Sequence, residues 1–226
     1  IKPAVTGSTW YINNFLRRCV FYEWAYSTRR ERKHSVRMCK KVAMCEKVMK
    51  QTLIESKNNE NFKRWMKIIE SPRIVKKQGT TLAEGLHLAQ VVLQTQNLPV
   101  AVILQEKSEN SEALGYAQQF ANQGVKVYTL TKPLFNVISP VEHGVGIILE
   151  IKPVQGAPED CSESDAIYLD GIQDAGNVGT ILRTALASGV RSVYASAKCA
   201  QIWSPKVLRA AMGAHFSLRI RENIAI

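Results

Sequence analysis

From about residue 53 onward, short apolar runs alternate with amphipathic stretches, separated by glycine, proline or polar clusters. Strand-length runs alternating with segments of helical period build an α/β layer, in which crossover helices join parallel strands. Lys63 to Ile69 predicts a short helix ending before Ser71-Pro72, since the residue before proline avoids helical geometry. Leu82, Leu86, Ala89, Val92 and Leu93 define the apolar face of a helix predicted over Leu82 to Gln94. Val100 to Leu104 reads as a buried strand, Ser111 to Gln123 as a helix closed by Gly124, and Val125 to Leu130 as another strand. After Leu134 to Val137 and the Ser139-Pro140 break, Gly146 to Ile151 completes a small α/β domain.

Lys152 to Asp165 holds Pro153, Gly156, Pro158 and several acidic residues, the composition of a linker, and places a boundary near residue 155. A second block follows. Ala166 to Asp170 is its first strand, Gly171 to Gly176 a polar loop, and Asn177 to Ser188 a helix closed by Gly189. Val190 to Ala195 is a strand, Pro205 to Met212 a helix and Phe216 to Ile220 a third strand. Strands in this arrangement imply a parallel sheet, with ligands beyond its carboxyl ends.

Residues 1–52 differ. Trp10, Tyr11, Phe15, Phe21, Tyr22, Trp24 and Tyr26 cluster ahead of a charge run at Arg29, Arg30, Glu31, Arg32 and Lys33. Val36, Met38, Val42, Met44, Val48 and Met49 recur at loose helical spacing among lysines, which predicts a basic amphipathic helix. That pattern suits an RNA-binding arm, a partner helix or a membrane-surface helix, and equally a solvated extension with no role of its own. The formal net charge of +11 makes a polyanion such as RNA, DNA or an anionic surface a reasonable partner. No apolar run is long enough to span a membrane. Cys19, Cys39, Cys45, Cys161 and Cys199 are odd in number and scattered without a CxxC pair, so they read as reduced thiols of a cytoplasmic protein with no metal site.

The chemistry concentrates between Asp170 and Ala185. The stretch is a strand end, a tight polar loop and a helix start, where Asn177 is expected to cap the helix and Gly176 and Gly179 to allow close backbone approach to a ligand. Arg183 falls about two turns into that helix. On its own this is equally a capped strand-loop-helix with an exposed arginine.

Asp174, Asn177, Gly179, Arg183, Ala185 and Gly189 resemble the first signature motif of the SpoU (TrmH-like) branch of the SPOUT RNA methyltransferases. Ser204-Pro205-Lys206-Val207-Leu208-Arg209-Ala210-Ala211-Met212-Gly213-Ala214 resembles that family's following helix, with Ala211 where many members carry serine. Upstream, Ser56 to Asn59, Lys63, Lys67, Arg73 and Leu82 to His87 resemble its RNA-substrate domain. The resemblance implies an RNA-substrate-binding domain at 53–155 and a SPOUT-type domain at 156–226, Rossmann-like, parallel-sheeted and normally trefoil-knotted, behind the helical extension at 1–52.

It also implies methyl transfer from S-adenosylmethionine to a ribose 2′-hydroxyl of tRNA or rRNA, and a homodimer. In such enzymes the position of Arg183 is implicated either as the base that takes the hydroxyl proton or as a clamp on the nucleotide phosphate. Guanidinium normally stays protonated, which favours the clamp. Asn177 would hold the loop and the arginine. Arg73, Lys76, Lys77, Glu84 and His87 are the expected RNA contacts, with Glu84 and His87 on one helix; a structural His87 is an equal alternative.

The chain begins at Ile1 and stops at Ile226 ahead of the family's two later motifs, so its donor pocket is expected to be incomplete and its own catalysis doubtful. A non-catalytic RNA-binding protein is the rival reading. A dinucleotide-dependent oxidoreductase ranks lower, since no Gly-x-Gly-x-x-Gly follows a predicted strand.

Overall fold

The computed structural model describes residues 49–139, 141, 144–154 and 165–225, and the expected N-terminal helix lies outside this set. Five strands form a mixed sheet: β1 (Gln51–Ile54), β2 (Thr81–Glu84), β3 (Ala101–Gln105), β4 (Lys126–Leu130) and β5 (Ile147–Ile151). Their spatial order is β1-β4-β3-β5-β2, with β1, β4 and β3 parallel and β5 antiparallel to both neighbours. The apolar runs explain the order. Every residue of β5 and four of the five in β3 are buried, as central strands covered on both faces must be. In β1 only Ile54 is buried, so this edge strand carries no apolar run and escapes a periodicity search.

The first helix, α1 (Glu60–Glu70), begins where Asn59 accepts the amides of Asn61 and Phe62, and buries Phe62, Trp65 and Ile68. It crosses a carboxylate placed in the core. Glu150, 1% exposed in the middle of β5, accepts from Arg64 Nε at 3.1 Å, Arg64 Nη2 at 2.8 Å and Trp65 Nε1 at 2.9 Å. These three donors offset the cost of removing the charge from water. A short α2 (Ile74–Gln78) ends at Gly79, whose φ is 67°.

The helix expected over Leu82 to Gln94 is two elements. Leu82 and Ala83 pair with Glu150 and Leu149 as part of β2, Gly85 turns the chain at φ 116°, and α3 (Leu86–Gln94) follows. A φ of that sign is outside any right-handed helix, so the apolar spacing across Gly85 is coincidental. Consequently Glu84 ends a strand while His87 begins a helix. The helices α4 (Ser111–Asn122) and α5 (Lys132–Ile138) complete this layer, contributing Phe120 and Phe135 to the core.

The second sheet is all parallel, in the order β6 (Ala166–Leu169), β7 (Ser192–Ala195), β8 (Arg219–Glu222). Its helices are α6 (Ala175–Ala187) and α7 (Pro205–Ala210). The strand expected from Phe216 begins only at Arg219, because Ala214–Phe216 forms a 3-10 turn. The apolar pattern there serves an aromatic cluster: Trp203 lies 5.0 Å from His215 and 6.1 Å from Phe216, ring centre to ring centre.

Segment 201–204 ties the two sheets together. Buried Thr81 in β2 donates its hydroxyl to Trp203 O at 2.7 Å, while Ile202 receives His215 Nε2 on its carbonyl at 2.9 Å and gives its amide to Glu222 at 3.1 Å. No helix among the described residues is long and apolar enough to cross a membrane.

Candidate functional site

The stretch 170–185 occupies the carboxyl end of β6 and the start of α6, where an open parallel sheet binds ligands. The cap of α6 is Asp174, whose Oδ1 accepts the Asn177 amide at 2.7 Å. Asn177 is thus the third residue of the helix, and its side chain is freed from the capping role expected of it. That side chain and the Arg183 guanidinium are both exposed and form no hydrogen bond or ion pair among the described residues. Val178, Gly179, Leu182 and Ala185 face the core, so helical spacing leaves Asn177, Thr180 and Arg183 on the solvent arc.

The loop ahead of this helix is held from β7. Gly171, at φ 64°, donates its amide to Ser196 Oγ at 3.1 Å, Ser196 donates its own amide to Leu169 O at 2.9 Å, and Ala200 N reaches Ile172 O at 2.8 Å. Cys199 is half-buried and directs its thiol to Leu169 O at 3.2 Å. Sequence reasoning missed the role of Asp174 as cap and that of Ser196 as brace; the spacing of Asp174 to Asn177 was the available signal.

Gly179 does not face a ligand. A methyl group there would overlap Ala210 and sit 2.8 Å from the Ala211 amide nitrogen, so this glycine lets α6 and α7 touch backbone to backbone. Gly176 is exposed, and a methyl on it would lie 3.1 Å from Asp174 Oδ1.

On the substrate side, Arg73 precedes α2 and Lys76 and Lys77 lie within it, all three exposed. Lys76 Nζ donates to Asn223 Oδ1 at 2.7 Å, and exposed His87 places Nε2 3.1 Å from Met212 O. Glu84 turns inward: its Oε1 accepts the Ser139 hydroxyl at 2.6 Å, and its Oε2 is buried without a partner. Burial raises its pKa, opposed by the Ser139 hydrogen bond and the positive charge of Arg209. Three of the five expected RNA contacts therefore touch or sense the second sheet. None is joined by a hydrogen bond or ion pair to Asn177 or Arg183 among the described residues.

A cleft of about 740 Å³ opens between α2 and β8, bounded by Lys76, Pro153, Trp203, Arg221, Glu222 and Ile224. A second cavity, of about 10 Å³, lies beside Glu84 and Arg209. Neither opens on Asn177 or Arg183, so no described residue is assigned to a methyl donor. No group of three or more His, Cys, Asp or Glu among the described residues is placed to hold a metal ion.

Comparison with known proteins matches residues 165–225 to the SpoU rRNA Methylase family. Over 174 residues the chain is 28% identical to 23S rRNA (guanosine(2553)-2'-O)-methyltransferase RlmP of Bacillus subtilis, covering 76% of this chain and 65% of that protein. It is 31% identical over 169 residues to mitochondrial rRNA methyltransferase 3 of Mus musculus, covering 70% of this chain and 39% of the relative. The chain thus spans less than two thirds of either. The crystal structure of an rRNA methyltransferase from Sinorhizobium meliloti superposes with a TM-score of 0.66 at 19% identity, over 76% of this chain and 65% of that one, and shares its fold. The signature loop, the helix it opens and the packing of α6 on α7 all fall inside the segment 165–225 that matches the SpoU rRNA Methylase family.

Proposed function

We propose that this chain carries the RNA-binding and motif-bearing portion of a ribose 2′-O-methyltransferase acting on rRNA or tRNA, with 53–155 as the substrate domain and 156–226 as the start of the catalytic domain. One observation carries this reading: Asn177, in the first turn of the helix that opens at the carboxyl edge of the parallel sheet, and Arg183, further along it, stand exposed and unengaged on a helix whose cap and packing are supplied by other residues. A helix that needed these two side chains for its own stability would have them bonded.

S-adenosylmethionine, when bound, would supply the electrophilic methyl group, and no described residue is assigned to hold it. Arg183 clamps a phosphate of the target nucleotide through its fork of N–H donors, which fixes the 2′-oxygen for in-line approach. Asn177, two turns back along the exposed arc, holds the sugar or the arginine by its amide. Arg73, Lys76 and Lys77 contact the RNA backbone and position it without reading sequence. His87 is spent on Met212 and contributes to the seam between the sheets.

The test is transfer of a labelled methyl group to rRNA and tRNA, alongside calorimetric titration with S-adenosylmethionine. Label in the 2′-O-methyl nucleoside, lost in Arg183→Ala with RNA affinity largely kept, supports the reading. RNA binding without donor binding or transfer replaces it with a non-catalytic RNA-binding role. The scattered thiols favour the cytoplasm as compartment, whereas the mouse relative is named mitochondrial; imaging a tagged chain against a mitochondrial marker separates the two.

A further inference from the structure

At the seam between the two sheets, Glu84 at the end of β2 and Arg209 on α7 line the same small cavity, together with Ile69, Leu82, Ile138 and Pro205. Its volume of about 10 Å³ is room for one water molecule. The walls are apolar, so the two charges act on each other across a poorly screened space. Glu84 is fixed from the opposite side. Ser139 donates to its Oε1 at 2.6 Å, and Gly144 passes so close that a methyl group there would lie 2.5 Å from that oxygen. The Ser139 hydrogen bond and the nearness of Gly144 hold the carboxylate on that side, and its buried Oε2 has no hydrogen-bond partner.

Arg209 is the exposed member of the pair. Its side chain makes no hydrogen bond among the described residues, and shares a helix face with exposed Lys206 three residues earlier. The helix that carries both is locked against α6 at Gly179. A fixed carboxylate behind an arginine biases where the guanidinium resides while leaving its N–H groups free for an anion. An arginine so placed suits a phosphate, whose oxygens match the guanidinium fork.

We propose that Arg209 is an RNA phosphate contact at the seam, held ready by Glu84, which acts as a positioning residue and not as an RNA ligand. The inference rests on the RNA-binding part of the function proposed above and adds a contact that ties the substrate-binding layer to the helix packed on the signature motif. Lys206 extends the same surface by one charge.

The test is filter binding of rRNA to the unaltered chain and its variants across a series of salt concentrations. Arg209→Gln is expected to weaken binding and to lower the slope of log affinity against log salt by about one. Arg209→Lys should keep the slope and lose part of the affinity, since charge remains and the fork does not. Glu84→Gln should weaken binding with the slope unchanged, and should add nothing when combined with Arg209→Gln; circular dichroism confirms that each variant is folded. An Arg209→Gln slope equal to that of the unaltered chain overturns the phosphate contact. Additive losses in the double variant overturn the role of Glu84. If the unaltered chain shows no salt-dependent RNA binding, the underlying function fails and this inference with it.

Discussion

Gly179 of α6 rests directly on Ala210 of α7, so close that a single added methyl group would overlap it and approach the Ala211 amide nitrogen to 2.8 Å. Two stretches whose contacting residues, Gly179 and Ala210, stand about thirty positions apart in the chain are thereby one packed object. Alanine in a helix interior ordinarily gains about 1 kcal/mol over glycine. Here the opposing atoms include backbone, which cannot give way as the end of a long side chain can. Gly179→Ala is therefore expected to reverse the sign and cost about 1–3 kcal/mol of stability. Urea denaturation reads the result, and a stabilised variant would show that α6 and α7 are free to separate.

The buried Glu150 makes a second prediction. Arg64 supplies two of its donors and Trp65 the third, with the Arg64 side chain 38% exposed and that of Glu150 1%. Arg64→Ala strands a carboxylate in the core with one donor left, at a cost of about 3 kcal/mol. Glu150→Gln removes the charge but keeps an acceptor for the tryptophan, and should cost less than Arg64→Ala. The order of the two midpoints in thermal melts decides; a larger loss for Glu150→Gln would mean the ion pair itself stabilises the fold.

Much of this architecture was legible because the central strands announce themselves: Ala101–Gln105 and Ile147–Ile151 are apolar runs buried on both faces. The edge strand Gln51–Ile54 was not, since its pairing to β4 is made by backbone and by Gln51 accepting from Thr129 at 2.7 Å, which leaves no hydrophobic period. The apolar spacing around Gly85 and Phe216 misled for one reason. Period counts assume a continuous element, and a glycine at φ 116° or an aromatic cluster breaks that assumption without changing the spacing. The signature stretch was found by its residue types, but their division of labour was not: Asp174 caps, Gly179 packs, and Asn177, Thr180 and Arg183 stand exposed on the solvent arc.

His215 predicts a pH dependence. It is fully buried, bonded through Nε2 to Ile202 O, and its Nδ1 has no partner; burial lowers its pKa from 6.5 to about 4, partly opposed by that backbone bond. Above pH 6.5 the ring is neutral in both folded and unfolded chains, and folding is at full strength. As pH falls from there toward 4, the unfolded chain takes up a proton that the folded one refuses, and up to about 3 kcal/mol is lost. Glu84 and Glu222, raised by burial, act oppositely, binding protons more readily when folded. His215→Gln keeps a donor for Ile202 and removes the titration, so its melting temperature should vary less between pH 7 and 4.5. An unchanged slope would assign the acid sensitivity elsewhere.

Asn177 and Arg183 allow function to be separated from folding. Both side chains are exposed and unbonded among the described residues, and the α6 cap belongs to Asp174. Replacing either with alanine should move stability by no more than about 0.5 kcal/mol, the usual range for surface positions. Asp174→Ala, by contrast, removes an acceptor from the Asn177 amide and should cost about 1 kcal/mol. If the two exposed residues serve a bound nucleotide, their alanine variants will melt like the unaltered chain, largely keep RNA affinity and yet lose methyl transfer, whereas Asp174→Ala will lose stability and transfer together. Equal melting shifts in all three would mean that Asn177 and Arg183 are part of the scaffold, and the reading of the solvent arc as a site would fall.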